Sequence, residues 1–197
     1  GIYANGHRDD GGNGGFWNLG SEPTSADDVE FIDLIMEELS HYHNLNLSRV
    51  YAAGMSNGSG LVNLLAKRTT YFNAVVPMFS QQKLTIAELT AQTPVAVMQI
   101  VGENDTTIPA AGGNTFAGEF LNAQDSVLNW VDQFNCSVND AFTTEVWGST
   151  AVEKLIHTNC ALGVEIHHVV AKDTGHGFNW RRDEHIFQEI WNFLSRF

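Results

Sequence analysis

"RVYAAGMSNGSG", residues 49–60, passes from short apolar, β-compatible residues into a serine fenced by glycines, and continues as "LVNLLAKR" with helical spacing. Strand, sharp turn, helix is the local order. A GxSxG match is cheap in a chain holding 18 glycines. Its surroundings therefore decide whether Ser56 is a nucleophile or sits in a plain glycine-rich turn. Small neighbours at Gly54 and Gly58 suit an abrupt strand-to-helix turn, which exposes the serine hydroxyl and aims a helix N-terminus at it.

The same alternation runs outward from this stretch. "AVVPMF", "PVAVMQIV" and "GVEIHHVVA" read as buried strands, and residues 113–134 and 184–196 as helices. Residues 25–42 also read as a helix, with Val29, Ile32, Ile35, Met36 and Leu39 on one face. Ser25 is its expected cap, and Asp27 and Asp28 fall in the first turn, where carboxylates complement the helix dipole. "TTEVW" and "VEKLIHT" alternate around Gly148 and predict a small hairpin or two extended segments. Strands alternating with helices predict an α/β fold, with a mostly parallel sheet covered on both faces. No repeat or linker interrupts the chain, so residues 1–197 read as a single domain.

Composition narrows the function. The formal charge is −13, with 10 Lys and Arg against 23 Asp and Glu and no basic run, which argues against a nucleic-acid or anionic-membrane partner. No apolar stretch approaches the ~20 residues of a membrane helix, and "GIYANG" has neither the basic start nor the apolar run of a signal peptide. HxxxH pairs and carboxylate clusters at ligand spacing are absent, so neither a metal nor another cofactor is expected. "GGNGG" at 11–15 lacks the strand and the Lys-Ser/Thr of a phosphate loop and reads as a flexible loop beside the site. The two cysteines, Cys136 and Cys160, allow one bridge or two free thiols. Neither belongs to a CxxC pair.

In an open parallel sheet, functional groups gather at the carboxyl ends of the strands. Three such ends carry chemistry. "YAAGM" delivers Ser56, "VMQIVGENDTTIP" delivers Asp105, and "HHVVAKDTGHGFNW" delivers His176 between two glycines. A serine hydroxyl needs a base within hydrogen-bond reach, and imidazole titrates in the useful range. His41 and His43 lie at a helix end, His157, His167 and His168 in strands, and His185 in a helix, which leaves His176 as the base and His7 in reserve. The carboxylate that orients the imidazole is Asp105; Asp173 is too near His176 in sequence. The amide of Asn57 would help bind an oxyanion, and Phe16, Trp17 and Trp180 supply candidate apolar walls.

"GHRDDGGNGGFWN", "ADDVEFIDLIMEEL", "SRVYAAGMSNGSGL", "GENDTTIP", "FNC", "HTNCALG" and "DTGHGFNW" resemble successive blocks of the α/β-hydrolase esterases grouped with polyhydroxybutyrate depolymerases and feruloyl esterases. The resemblance spans nearly the whole chain. It implies the α/β-hydrolase fold, with Ser56 as acyl nucleophile, Asp105 as orienting carboxylate and His176 as base. It also implies a Cys136–Cys160 disulfide, and with it a secreted or periplasmic protein. Several strands and a helix that precede the "GIYANG" block in that family, with a loop usually giving a second oxyanion donor, have no counterpart here. Either the sequence is a fragment that is N-terminally incomplete relative to the family, or another segment supplies that donor, with Gly11 to Gly15 as the local candidate.

The expectation is a serine carboxylic-ester hydrolase acting on short-chain, feruloyl-type or polyester esters. The alternatives are a serine peptidase on the same fold, and a catalytically weak carbohydrate- or polyester-binding remnant.

Overall fold

The computed structural model describes residues 1–179 and 185–197. Its central strands are apolar almost end to end: Val75, Val76, Ala96, Val97, Ile100, Ile166 and Val169 have no solvent exposure, as expected of strands covered on both faces. In chain order the elements are α1 (Asp28–Leu39), β1 (Tyr51–Met55), α2 (Asn57–Arg68), β2 (Ala74–Met78), the one-turn α3 (Leu84–Ala87) and β3 (Ala96–Gly102). There follow β4 (Gly113–Thr115), β5 (Gly118–Phe120), α4 (Ala123–Gln133), β6 (Thr143–Trp147), β7 (Thr150–His157), β8 (Ile166–Ala171) and α5 (His185–Leu194).

Six strands form one mixed sheet in the order β1-β2-β3-β8-β7-β6, with β4 and β5 pairing separately. From β1 to β8 the neighbours are parallel, whereas β7 and β6 run antiparallel. The hairpin expected around Gly148 thus exists and extends the main sheet at one edge. Successive residues of β8 show that the sheet is covered on both sides. His167 packs on Phe193 of α5 at 4.8 Å, and His168 reaches Gln124 of α4 at 3.3 Å, so α5 and α4 lie on opposite faces. Helix α2 shares the α4 side, where Lys67 hydrogen-bonds Asn129 at 2.8 Å. The sheet is therefore α/β in character, as the alternating pattern predicts.

Three local expectations need correction. Asp27, not Ser25, caps α1 by accepting the Glu30 N–H at 3.0 Å. The Ser25 N–H is held by the Asp9 carboxylate at 2.6 Å, and Asp28 turns inward to accept from the Asn18 N–H. Helix α1 also ends at Leu39, short of Tyr42, where the Ser40 hydroxyl turns back onto the Glu37 carbonyl. Residues 113–134 are not one helix. Gly112, Gly113 and Gly118 have positive φ, which suits the β4–β5 hairpin, and α4 begins only after Asn122, which caps it by accepting the Asp125 N–H. The closing helix runs His185–Leu194, while residue 184, included in the expected span, lies outside the described residues.

Cys136 and Cys160 form a disulfide that ties the chain after α4 to the end of β7. No helix among the described residues is long and apolar enough to cross a membrane.

Candidate active site

Ser56 stands between β1 and α2 with φ 56° and ψ −120°. Such a backbone costs on the order of 1–3 kcal/mol and persists only where its surroundings enforce it. Here the Ser56 N–H donates to the Met78 carbonyl at 2.9 Å, and its own carbonyl accepts from Gly60 at 3.2 Å. A Cβ at Gly54 would stand 2.3 Å from the Gly58 carbonyl oxygen, so a side chain there would force strand and helix apart. At Gly58 a Cβ would meet only the Trp17 indole at 3.6 Å; the steric demand of the turn falls on Gly54. The Ser56 hydroxyl does not cap its helix, which leaves it available to a base.

Asp105 and His176 arrive on loops joined by backbone. Beyond β3, the Glu103 N–H donates to the Ala171 carbonyl at 3.0 Å and the Asn104 N–H to the Thr174 carbonyl at 2.9 Å. A Cβ at Gly102 would lie 2.1 Å from the Gly175 carbonyl oxygen, so this approach admits no side chain. One Asp105 oxygen accepts the N–H groups of Thr107 at 2.8 Å and Ile108 at 2.9 Å. That fixes the carboxylate and turns its other oxygen to His176 Nδ1 at 2.7 Å, while His176 Nε2 lies 2.8 Å from Ser56 Oγ. Asp105 is buried, the His176 ring is partly open, and Phe79 packs against the ring edge-on at 6.4 Å. A buried carboxylate at Nδ1 favours the tautomer whose Nε2 lone pair can take a proton from the serine.

The structure thus brings Ser56, His176 and Asp105 together and leaves the other histidines elsewhere. His7 pairs with Asp9 at 3.0 Å on the surface. Burial pushes His157 and His167 below the ordinary histidine range and His168 down to about 4. Asp173 is exposed, with its backbone N–H on Glu103.

Asn57 has two roles. As the first residue of α2 its backbone N–H is among those without an intrahelical partner. Its side chain clamps the opening segment, accepting the Trp17 N–H at 2.7 Å and donating to the Trp17 carbonyl at 3.0 Å. Phe16 is held by paired backbone bonds to His7, both 3.1 Å, and the Gly12 N–H is held by Asp10. The N–H groups of Gly12, Phe16 and Trp17 are therefore engaged and do not act as second oxyanion donors.

Two cavities meet at Ser56 and Asn57, with Phe16 in both walls. One, of about 680 Å³, runs between β1 and the apolar face of α1 and includes Trp17. The other, of about 290 Å³, is bounded by Leu19, Ile108, Phe116 and Phe120, with Lys83 and Glu22 in its wall. Trp180 lies outside the described residues. Sequence reading missed Lys83 and Glu22, which look like ordinary surface charges. The available signal was the end of β2: "FSQQK" leaves a fourth strand at the same edge as Ser56, Asp105 and His176.

Several curated proteins are similar to this chain. Feruloyl esterase C of Emericella nidulans is 33% identical over 105 residues, which is 53% of this chain and 38% of that protein. Probable feruloyl esterase C of Aspergillus niger is 27% identical over 154 residues, 75% and 56% respectively. Feruloyl esterase B of Piromyces equi is 23% identical over 190 residues, 92% and 33%. The chain spans about half or less of the length of these relatives. No protein-family model matches. The similarity supports an esterase family at low identity.

Proposed function

We propose that this chain is a serine carboxylic-ester hydrolase of the α/β-hydrolase type, with residues 1–197 acting as one catalytic unit. The observation that carries this reading is the continuous Ser56–His176–Asp105 relay, at 2.8 and 2.7 Å, on a strained strand-to-helix turn. Ser56 Oγ attacks the ester carbonyl while His176 Nε2 takes its proton, and Asp105 stabilises the resulting imidazolium. The tetrahedral oxyanion lies toward the Asn57 backbone amide at the α2 N-terminus. His176 returns the proton to the departing alcohol oxygen, and water then resolves the acyl-enzyme by the same steps in reverse.

Feruloyl-type esters come first among the substrates because relatives carry that name. Short-chain esters and polyesters of the hydroxybutyrate kind remain within the same chemistry. Phe16 and Trp17 would contact the substrate, since both line cavities that reach Ser56. The disulfide supports an oxidising, extracellular or periplasmic location. The test is hydrolysis of a nitrophenyl ester and of the matching nitroanilide by the chain and by Ser56→Ala. Ester turnover well above anilide turnover, falling by about 10⁴ or more in the variant, is the expected result. Ester activity of Ser56→Ala within tenfold of the parent would overturn the reading.

A further inference from the structure

The smaller cavity has in its wall a charge cluster that ester chemistry at Ser56 does not require. Lys83 Nζ donates to Ser21 Oγ at 2.9 Å and to Glu22 Oε1 at 2.8 Å. The Lys83 and Glu22 side chains are only 6% and 8% exposed. Glu22 is itself fixed, its second oxygen accepting the N–H groups of Leu19 at 2.8 Å and Ser21 at 3.0 Å. Burial pushes the Glu22 carboxyl up, but the Lys83 ammonium and those two amides outweigh it and hold the group below its usual range.

An ammonium carries three N–H donors, of which these contacts use two. The third belongs to a buried cation in the wall of a cavity otherwise formed largely by Phe16, Leu19, Ile108, Phe116 and Phe120. Burying a charge in such a place is costly unless all its donors are met. A hydrogen-bonding oxygen on a molecule seated in the cavity would meet the last one.

The chemistry at Ser56 says which part of an ester enters. His176 must protonate the leaving alcohol oxygen, so the alcohol lies on the histidine side. Neither cavity that reaches Ser56 and Asn57 is bounded by His176, which puts both on the acyl side, and only the smaller one carries charged side chains in its wall. We infer that Lys83, anchored by Glu22 and Ser21, is a specificity-determining residue. It reads an oxygen at the far end of an apolar acyl group and favours hydroxylated acyl groups over their deoxy counterparts. This inference rests on the ester-hydrolase reading above.

The test compares kcat/KM for methyl esters in matched pairs with and without a para hydroxyl: benzoate, phenylacetate and 3-phenylpropanoate, which step the hydroxyl outward. The ratio within each pair is independent of the amount of folded enzyme. For the parent chain the hydroxylated ester should win by roughly ten- to a hundredfold at one or more lengths, the range of a hydrogen bond to a charged group. The ratio should fall to about one in Lys83→Met. It should do the same in Lys83→Met/Glu22→Gln, which leaves no buried carboxylate unpaired if the single variant folds poorly. Ester turnover with no hydroxyl preference at any length, or with a preference that survives in the folded double variant, would overturn the inference alone. No turnover of any ester would remove the ester-hydrolase reading and this inference together.

Discussion

Asn57 grips Trp17 with both ends of its side-chain amide, at 2.7 Å to the N–H and 3.0 Å to the carbonyl. The residue that follows the candidate nucleophile thereby fixes the segment carrying Phe16, which lies in the walls of both cavities. Asn57→Ala keeps the backbone amide but leaves two partly buried backbone groups unpaired. The expected effects are a loss of about 1–2 kcal/mol in stability and a fall of roughly tenfold in kcat/KM from misplacement of the wall. Urea unfolding and ester kinetics check both, and an unchanged kcat/KM would show that the clamp does not position the site.

Gly102 and Gly175 make the contact that brings the Asp105 and His176 loops together. Because an added methyl would stand 2.1 Å from the Gly175 carbonyl oxygen, Gly102→Ala must displace the histidine loop. Steady-state kinetics should show kcat falling by about 10²-fold, the scale of an ångström misplacement, in protein whose circular dichroism still reports a fold. A kcat within threefold of the parent would mean that the loops can part without moving His176.

Much of the candidate site's arrangement was legible because each of the three residues that meet there stands out locally. Ser56 follows an apolar strand and sits among glycines, and Asp105 and His176 end two further apolar strands in polar turns. The parallel order that unites those ends follows from strands alternating with helices. Other features depend on partners far apart in sequence. Asn57 and Trp17 are 40 residues apart, and Lys83 and Glu22 are 61 apart. Neither pair has a local pattern. The β4–β5 hairpin was hidden for a different reason. Its apolar residues also fit helical spacing, and the glycines that decide against a helix act through positive φ, which spacing does not reveal.

Lys67 has 1% exposure in α2, with its ammonium on Asn129 Oδ1 at 2.8 Å and over the Trp130 ring at 4.0 Å. Burial pushes it down to about 7. Since its unfolded value is near 10.4, the unfolded chain binds more protons between about pH 7 and 10. The lysine's contribution to stability is therefore lowest below pH 7 and rises through that window. In Lys67→Met, Asn129 Oδ1 keeps its bond from Gln133 at 3.0 Å. The variant should be about 1–3 kcal/mol more stable than the parent at pH 6.5, with the advantage shrinking by pH 9.5. A variant less stable than the parent at both pH values would contradict this.

The Cys136–Cys160 bond closes a sequence separation of 24 residues around the β6–β7 hairpin. Chain-entropy arithmetic gives roughly 3–4 kcal/mol for a loop of this size. Replacing both cysteines by alanine should lower the unfolding free energy by that order. It should change kcat far less in the still-folded protein, because β8 and the His176 loop remain paired to β3. A stability loss below about 1 kcal/mol would show that the hairpin is held by its strand pairing alone.

Covalent capture of the nucleophile tests the central claim most directly. A fluorophosphonate reacts with a serine whose hydroxyl is activated by a neighbouring base and whose oxyanion is stabilised. Mass spectrometry of the digested protein should place one adduct on Ser56. Labelling should disappear in Ser56→Ala and fall by orders of magnitude in His176→Ala and Asp105→Asn, with losses that do not add, because the three act as one unit. An adduct on another serine, or undiminished labelling of Ser56→Ala, would contradict the account.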